Sequence, residues 1–464
     1  MTQIFALHSA YGLATAVAAI DAGLLDDGSS GSAGGRLLVP FTSARVPETA
    51  VGIADEPVLR TLRARFDRSE PLEVLLGPLH PSSWEPAEAD LPMLERLFAR
   101  AWQLDPGELE LFVQSPQVAP ARTLMSLFPR ARITIVGDGL MTYSPMRVRL
   151  PYSVAARVGR VVHADVVPGV RPLVGAPHAE IVPVPPAAFA AALRETDPGG
   201  SDSTLESSLD PALESASDGV PTVLVLGQYL SALGLITAAE EIELQRQLID
   251  RAAGWVPGRI VFKPHPAAPP LVTSAVRARA AAHGIPLVEY RGPLAAELLA
   301  ERLDAVAVVA GFSTALPTVR RLFGRAIGSA GNDTVLSVLT PYENSNRIPV
   351  TLVDALTRES SPYADPERLQ LLVDAVGYAM QPEIAGHLRG RAEELLAELD
   401  PAERERYFPP RRLVELGLPG APRENALRRA LRPVGGVGRI EEWRLHALGA
   451  RRRAGRAWRA IRGR

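Results

Sequence analysis

Residues 305–315 read Ala-Val-Ala-Val-Val-Ala-Gly-Phe-Ser-Thr-Ala, and this stretch indicates the class of fold. The run of small and β-branched apolar residues at 305–310 is typical of a fully buried strand. Gly311 then allows a sharp turn, and Ser313 can cap the N-terminus of a helix, in whose first turn Pro317 is tolerated. The stretch therefore predicts a strand that leads directly into a helix, the basic unit of α/β folds.

The same alternation of short apolar runs with helical patterns recurs in both halves of the chain. In the first half the predicted strands are 3–8, 36–41, 73–76, 109–114, 133–136 and 181–184, and the predicted helices include 15–22, 91–102 and 120–128. In the second half the predicted strands are 222–226, 259–262, 287–290, 305–310 and 326–328, and the predicted helices are 238–253, 271–283, 294–302 and 315–323. Strands that alternate with helices predict parallel sheets covered by helices on both faces.

A polar segment divides the two halves and sets the predicted domain boundaries. Residues 196–218 are rich in Ser, Asp, Gly and Pro, and they contain six acidic residues and no basic one. We therefore predict two Rossmann-like domains, residues 1–195 and 219–410, joined by this linker and followed by a basic helical tail at 411–464. Ligands of open α/β sheets bind beyond the carboxyl ends of the strands, so the chemistry is expected in a cleft between the domains.

Composition excludes several classes of function. The 464 residues contain no cysteine, which excludes disulfides, thiol catalysis and zinc–cysteine sites. The formal net charge of −2 argues against a general nucleic-acid-binding protein. Of the 50 basic residues only Lys263 is a lysine, and the rest are arginines. This skew is typical of a GC-rich genome and by itself says nothing about function.

The two ends of the chain bear on its location. The N-terminus has no basic region before its first apolar run, and the longest strongly apolar stretch, 305–312, is too short to span a bilayer. These features predict a cytoplasmic protein. Residues 421–464 contain 13 arginines and three glutamates, interspersed with Leu and Trp. This composition predicts peripheral binding of 423–464 to an anionic membrane, for which a solvated extension or a helix packed against the domains is the alternative.

The first of three strand-end motifs is Ile-Thr-Ile-Val-Gly-Asp-Gly at 133–139. Asp138 stands between Gly137 and Gly139, which let the backbone turn and let a ligand approach closely. At the cleft edge of the sheet, its carboxylate could remove the proton of an acceptor hydroxyl. The alternative is an aspartate that only caps a turn or the next helix.

The second motif is Arg-Ile-Val-Phe-Lys-Pro-His-Pro at 259–266. Side chains two residues apart share a face of a strand, so we expect Lys263 and His265 to point the same way if the strand persists to His265. Pro266 and the proline before His265 restrict the backbone around the histidine. An ammonium beside an imidazole suits an anionic leaving group, whereas the alternative is an edge strand that ends in prolines with an incidental histidine.

The third motif is the helix N-terminus after Gly311, where the hydroxyls of Ser313 and Thr314 could bind a phosphate or carboxylate. An ordinary serine cap is the alternative. The polar stretches 331–333 and 342–349 could line a nucleotide or sugar pocket or could be simple turns. The further residues that we assign to donor binding are Gly227, Asn332, Glu343 and Asn346. No metal cluster, Walker motif or nucleophile elbow is evident.

The order of the three motifs resembles the bacterial alpha-2,8-polysialyltransferase family and its sialyltransferase relatives. Those enzymes carry an acidic pair followed by Gly, then His-Pro, then Ser-Ser or Ser-Thr. The matches here are 137–139, His265-Pro266 and Ser313-Thr314, and the resemblance covers roughly residues 1–400. One departure is that Gly137 stands where the family has the first acid of the pair, which leaves Asp138 as the candidate base.

The resemblance implies a GT-B fold, with an acceptor domain followed by a donor domain, and an inverting transfer from a CMP-activated nonulosonic acid such as CMP-sialic acid. Asp138 would accept the proton of the acceptor hydroxyl, and His265 would donate to the phosphate of departing CMP. Ser313 and Thr314 would bind the phosphate or carboxylate of the donor, and we add Lys263 as a second cation near that phosphate. The acceptor would be a glycan or a lipid-linked glycan, and neither a cofactor nor a metal is implied.

Three other interpretations stay open at this point. A CDP-glycerol glycerophosphotransferase would use the Lys-x-His-Pro sequence at 263–266, but it would also carry a second His and an Asp near 311–316, where this chain has neither. A sugar-nucleotide epimerase of the same fold would need several carboxylates in the cleft. A catalytically silent scaffold that binds a polymer or a membrane is compatible with the single acid at Asp138.

Overall fold

The computed structural model describes residues 1–25, 35–43, 52–197, 219–265 and 268–422. Within these residues the first half of the chain forms a parallel sheet of seven strands in the order β3-β2-β1-β4-β5-β6-β7. The strands are β1 (Thr2–Leu7), β2 (Arg36–Pro40), β3 (Arg68–Ser69), β4 (Leu109–Val113), β5 (Arg132–Val136), β6 (Val158–Ala164) and β7 (Glu180–Val184).

The described part of the second half forms a parallel sheet of five strands in the order β10-β9-β8-β11-β12. Its strands are β8 (Thr222–Leu226), β9 (Arg259–Lys263), β10 (Leu287–Glu289), β11 (Ala307–Ala310) and β12 (Ala326–Ser329). The prediction of an α/β protein with two Rossmann-like sheets is confirmed.

Helices cover the sheets and extend beyond the second one. In the first half they are α1 (Ala10–Asp21), α2 (Arg60–Arg63), α3 (Leu72–Leu76), α4 (Leu91–Ala101), α5 (Ala121–Leu127), α6 (Tyr152–Ala155) and α7 (Pro186–Arg194). Between the strands of the second half they are α8 (Ala238–Ala253), α9 (Pro270–Ala282), α10 (Ala296–Arg302) and α11 (Ala315–Phe323). After β12 follow α12 (Asn332–Val338), α13 (Arg347–Thr357), α14 (Pro366–Met380), α15 (Arg389–Glu398), α16 (Pro401–Tyr407) and α17 (Pro410–Leu416).

The apolar pattern explains why the central strands form where they do. Every residue of β4 and of β8 is buried, as expected for strands covered by helices on both faces. In the first half, one face of the sheet packs on α1 and α7 and the other on α4 and α5. One continuous apolar cluster joins α1 and α7 to α10, α11, α13 and α14, so the two halves share part of their core.

One predicted strand is wrong. Residues 73–76 belong to α3, because Pro71 stands at the helix N-cap and fixes a backbone angle that favours a helix start. A short apolar run does not distinguish strand from helix by its period, and Val74 is in fact 72% exposed. No strand was predicted at β3 or β6, and no helix was predicted between residue 323 and the tail that begins at residue 411.

Parts of the predicted domain organisation fall on residues that the structure does not describe. The linker prediction, from residue 198 onward, and the membrane-binding prediction for 423–464 lie outside the described residues. None of the helices in the described ranges combines the length and the apolarity that a bilayer crossing requires.

Candidate active site

Asp138 lies at the carboxyl edge of the first sheet, directly after β5, and its side chain is 32% exposed. The carboxyl end of β1 supplies its two polar neighbours. Ser9 Oγ donates a hydrogen bond to Asp138 Oδ1 at 3.2 Å, and His8 Nε2 lies 4.0 Å from Asp138 Oδ2. The candidate base is therefore oriented by a strand that comes about 130 residues earlier in the chain.

Ser9 is itself fixed by two further hydrogen bonds. Its Oγ accepts from the backbone N–H of Gly12 at 3.0 Å, which caps α1, and from Gln114 Nε2 at 2.7 Å. Gln114 follows β4 and is fully buried, and its Oε1 accepts from the backbone N–H groups of His8 at 3.0 Å and Ser9 at 3.3 Å. A hydroxyl has one donor and two acceptor positions, so all three of Ser9 are used and its donor is directed at Asp138.

His8 completes this group from the other side of Asp138. Its Nε2 lies 3.0 Å from Ser115 Oγ, and its Nδ1 lies 3.3 Å from Ser43 Oγ. Burial lowers the pKa of His8, while the negative charge of Asp138 opposes that shift. Ser115 has a φ of +55°, a left-handed conformation that non-glycine residues seldom adopt outside functional or tightly constrained sites.

The glycines on either side of Asp138 are required by close packing. A Cβ at Gly137 would lie 2.7 Å from Thr142 Oγ1 and 2.8 Å from the Cβ of His163. The same Thr142 Oγ1 accepts a hydrogen bond from the backbone N–H of Asp138 at 2.8 Å. Gly139 has a φ of +54°, and a Cβ there would lie 2.6 Å from two side-chain atoms of Thr314.

Thr314 brings the Ser-Thr motif of the second half against the Asp138 loop of the first. Its Oγ1 accepts a hydrogen bond from the backbone N–H of Leu140 at 3.2 Å. Ser313 Oγ accepts from the backbone N–H of Ala315 at 3.2 Å, but the N-cap of α11 is Thr314, whose side chain makes no capping hydrogen bond. The predicted Ser313 cap is therefore wrong by one residue. The carboxyl ends of β5 and β11 therefore face each other, which is the GT-B-like arrangement that the sequence analysis predicts.

Three of the predicted donor-binding positions are neighbours at the carboxyl edge of the second sheet. The backbone N–H of Gly227 donates to Lys263 O at 2.9 Å, and a Cβ at Gly227 would lie 3.3 Å from His265 N. A Cβ at Gly311 would overlap the side chain of Gln228. Glycines at these two positions let the ends of β8, β9 and β11 approach one another.

His265 is exposed at this edge, and its ring centroid lies 6.2 Å from that of Tyr229. Partial burial lowers the pKa of His265, while the negative charge of Glu241 opposes that shift. Pro266, the other half of the predicted His-Pro pair, lies outside the described residues.

Lys263 contacts different groups from His265. Its Nζ donates to Gly292 O at 2.9 Å and lies 4.9 Å from the centroid of the Tyr290 ring. Burial lowers the pKa of Lys263, an effect that the negative charge of Glu297 opposes, and burial raises the pKa of Glu297. The expected alignment of Lys263 with His265 fails because β9 ends at Lys263, so the two-residue period of a strand does not reach the histidine.

The later polar positions contribute mainly to the packing of the C-terminal helices. Asn332 is 5% exposed at the start of α12, and Glu343 forms an ion pair with Arg412 at 2.6 Å. Asn346 precedes α13, and its backbone N–H donates to Asn344 Oδ1 at 3.0 Å. Their roles in donor binding stay predictions, as do those of all the other assigned site residues.

The residues that surround Asp138 were not predicted from the sequence. They are His8, Ser9, Gln114 and Ser115. A signal for them was present, since each directly follows or ends a predicted strand, at the same edge where Asp138 was found. What the sequence lacked was the strand order, which places β1 and β4 next to β5.

A cavity of about 450 Å³ lies elsewhere, between the segment before β7 and the helices α14 and α15. Leu173 and Ile384 are among its apolar lining residues, and Arg391 and Asp374 among its charged ones. None of the predicted site residues lines it, so it is separate from the cluster around Asp138 and His265.

Comparison with solved structures gives several distant matches. They include the GT-B domain of a sialyltransferase from Photobacterium damselae, at 11% identity, covering 76% of this chain and 96% of that one with a TM-score of 0.38. S. aureus MnaA in complex with UDP matches at 12% identity, covering 82% and 97% of the two chains with a TM-score of 0.37. E. coli heptosyltransferase WaaC with ADP-2-deoxy-2-fluoro heptose matches at 13% identity, covering 71% and 88% with a TM-score of 0.30.

Comparison with the sequences of curated proteins gives no match. A family model does match: residues 3–326 fit that of alpha-2,8-polysialyltransferase (POLYST), which confirms the resemblance seen in the three motifs. The matched region contains Asp138, His265 and the Ser313-Thr314 pair. Because this match spans well over half of the chain, the protein belongs to the alpha-2,8-polysialyltransferase family and is a glycosyltransferase.

Proposed function

We propose that this glycosyltransferase moves sialic acid or a related nonulosonic acid from a CMP-activated donor to a glycan hydroxyl, with inversion of configuration and without a metal. The observation that carries the proposal is the contact of the Asp138 loop with the Ser-Thr motif. Leu140, two residues after the candidate base, donates to Thr314 at 3.2 Å across the two halves. An acid for the acceptor and the Ser-Thr hydroxyls for the donor thus lie at one place.

On the acceptor side, Asp138 takes the proton of the attacking hydroxyl. The hydroxyl oxygen forms a bond to the anomeric carbon of the donor while the bond from that carbon to the phosphate oxygen breaks. Ser9 holds the carboxylate through Oδ1, which leaves Oδ2 on the side of His8. Burial keeps His8 neutral near pH 7, so it orients Asp138 without neutralising it.

On the donor side, the leaving group is CMP, which carries away the electrons of the broken bond on its phosphate. His265 donates a proton or a hydrogen bond to that phosphate, and the hydroxyls of Ser313 and Thr314 bind it or the donor carboxylate. Lys263 adds positive charge nearby. An already anionic phosphate ester leaves without needing a metal ion, so we expect activity to persist in EDTA.

The acceptor is a glycan, either free or lipid-linked, and the product contributes to a cell-surface polysaccharide. The enzyme works in the cytoplasm, and residues 423–464 hold it on the inner face of the plasma membrane. The support for this step is the composition of that segment, in which arginines alternate with Leu and Trp. Each cation near an anionic surface contributes about 1 kcal/mol.

The test is donor turnover by the full chain. CMP release and the mass of the product are measured with CMP-sialic acid, CDP-glycerol and a UDP-sugar, each with a sialylated oligosaccharide acceptor. We expect turnover with the CMP-activated donor, loss of it in His265→Ala, and none of that loss in the control His178→Ala, which removes an exposed histidine before β7. The proposal would be contradicted if the enzyme turned over CDP-glycerol and not CMP-sialic acid, or if it turned over none of the donors.

A further inference from the structure

A buried carboxylate contacts the loop that follows β8, on the donor side of the candidate site. Glu241, in the first turn of α8, is only 1% exposed. Its Oε2 accepts a hydrogen bond from the backbone N–H of Ser231 at 2.8 Å, and its Oε1 accepts one from Gln245 Nε2 at 3.2 Å. It forms no ion pair with any described arginine or lysine. A buried carboxylate costs several kcal/mol of desolvation, so its position calls for a reason.

The hydrogen bonds of this carboxylate fix one particular loop. Residues 228–231 leave the carboxyl end of β8, and Glu241 binds the last of them, Ser231. Gln245, which is also 1% exposed, donates from the same Nε2 to Gln228 O at 3.2 Å and so binds the first. Between these two anchors stands Tyr229, whose ring faces that of His265 at 6.2 Å. Two side chains of α8 therefore hold both ends of the loop that places Tyr229 next to His265.

The negative charge of Glu241 also acts on the side chain of His265. Partial burial and Glu241 act on the His265 imidazole in opposite directions, and the carboxylate favours its protonated form. Lys263, two residues earlier on β9, donates to Gly292 and interacts with Glu297 instead. The negative charge of Glu241 therefore favours the protonated form of His265.

We propose that Glu241 is a positioning residue for His265: its buried carboxylate fixes the 228–231 loop and stabilises the protonated imidazole that a departing phosphate requires. The inference rests on the proposed function for the role of that proton. The coupling of Glu241 to His265 is a property of the protein alone and can be measured without any donor.

The first experiment is a histidine titration by NMR on the full chain without donor. The eight histidines give a tractable spectrum, and the His265 signal is assigned by its loss in His265→Ala. In Glu241→Gln we expect the pKa of His265 to fall by about one unit, because a nearby opposite charge is removed. The matched control is Glu240→Gln, one residue earlier on the same helix, where the side chain binds Thr237 and is exposed. An unchanged His265 titration in a folded Glu241→Gln variant would overturn the proposal.

The second experiment follows kcat/KM against pH with CMP-sialic acid. In Glu241→Gln we expect the alkaline limb of the kcat/KM profile to move to lower pH by the same amount as the His265 pKa measured by NMR. We expect little change in the KM for the donor. In Glu241→Asp we expect the limb to return part of the way to its wild-type pH. A uniform loss of activity with an unmoved limb would also overturn the proposal.

A second variant applies if Glu241→Gln fails to fold. Gln245→Leu removes one hydrogen bond to the same carboxylate, and we expect the His265 pKa to fall by a smaller amount. An unchanged His265 pKa in this variant would overturn the proposal. A shifted His265 titration in a protein that turns over no CMP-activated donor would contradict the proposed function alone.

Discussion

Ser9 donates its only hydroxyl proton to Asp138 over 3.2 Å, although the two residues are 129 positions apart and follow different strands. The same oxygen caps α1 and accepts from the buried Gln114 amide. The direction of this hydroxyl is thus determined by helix α1, by strand β1 that precedes Ser9, and by the Gln114 amide. The orientation of the candidate base is consequently built into the framework of the first sheet.

Ser9→Ala should therefore impair both stability and rate. Loss of the helix cap costs about 1 kcal/mol of stability, and loss of a hydrogen bond to a carboxylate costs about 1.5–3 kcal/mol, or at least about tenfold in kcat. The control is Asp400→Ala, which removes the cap of α16, a helix that carries none of the predicted site residues. We expect similar falls in the melting temperature of both variants and a fall in kcat in Ser9→Ala alone. Equal kcat values in the two would exclude the positioning role.

Gly139→Ala should disrupt the contact between the two halves. A Cβ there would clash with Thr314 at 2.6 Å and would also strain a residue with a φ of +54°. Gly77→Ala is the matched control, since Gly77 has a φ of +58° and open space around its Cβ position. We expect Gly77→Ala to lose only stability, and Gly139→Ala to lose most of its activity as well. Partial recovery in Gly139→Ala combined with Thr314→Ser would confirm the steric cause.

The pH dependence of the reaction follows from His265. Its pKa is lowered below the ordinary value of 6.5, and the imidazole must carry its proton to act on the leaving phosphate. Activity is then present below that pKa and is lost as the pH rises through it, so the alkaline limb of kcat/KM lies below pH 6.5. The limb for kcat lies higher, because the bound anionic donor stabilises the imidazolium. An alkaline limb that persists unchanged in His265→Ala would show that another group titrates.

Lys263→Arg should weaken donor turnover. The ammonium is half-buried against Tyr290 and donates to Gly292 O at 2.9 Å, in a position that a planar guanidinium does not fit. We expect the KM for the donor to rise about tenfold, corresponding to a lost charge-assisted hydrogen bond. Lys263→Met, which keeps the length without the charge, separates electrostatics from packing. Wild-type kinetics in both variants, with lower melting temperatures only, would make Lys263 a structural residue.

Removal of residues 423–464 should separate membrane binding from catalysis. The segment holds 13 arginines against three glutamates, whereas the whole chain has a formal net charge of −2, and it follows α17, the last helix of the described residues. We expect the truncated protein to lose binding to vesicles that contain anionic lipid and to keep its activity on soluble acceptors. Vesicles of neutral lipid serve as the control. Undiminished binding by the truncated protein would contradict the membrane prediction.

Local pattern alone predicted much of the framework. The strand at 222–226 and the helices at 238–253 and 315–323 coincide with β8, α8 and α11, because each has a complete apolar period and clear boundaries. Strand ends also located Asp138, His265 and Ser313. The run at 73–76 misled because four residues, of which three are apolar, are too few to define a period.

The surroundings of the candidate base could not be predicted, because they depend on which strands are neighbours. His8 and Ser9 meet Gln114 and Asp138 only in the order β1-β4-β5, and no residue pattern specifies that order. Glu241 is a similar case. From sequence it is one of two adjacent glutamates at a helix start, and only its burial distinguishes it from Glu240.

The packing around Gly137 links the size of this residue to the position of Asp138. A side chain at residue 137 would meet Thr142 and His163 at less than 3 Å. Thr142 also binds the backbone of Asp138, so the obstacle is itself part of the loop. An acid introduced at residue 137 would require Thr142 to move, and Thr142 would then hold the backbone of Asp138 less well. The small size of residue 137 and the position of Asp138 thus depend on the same threonine.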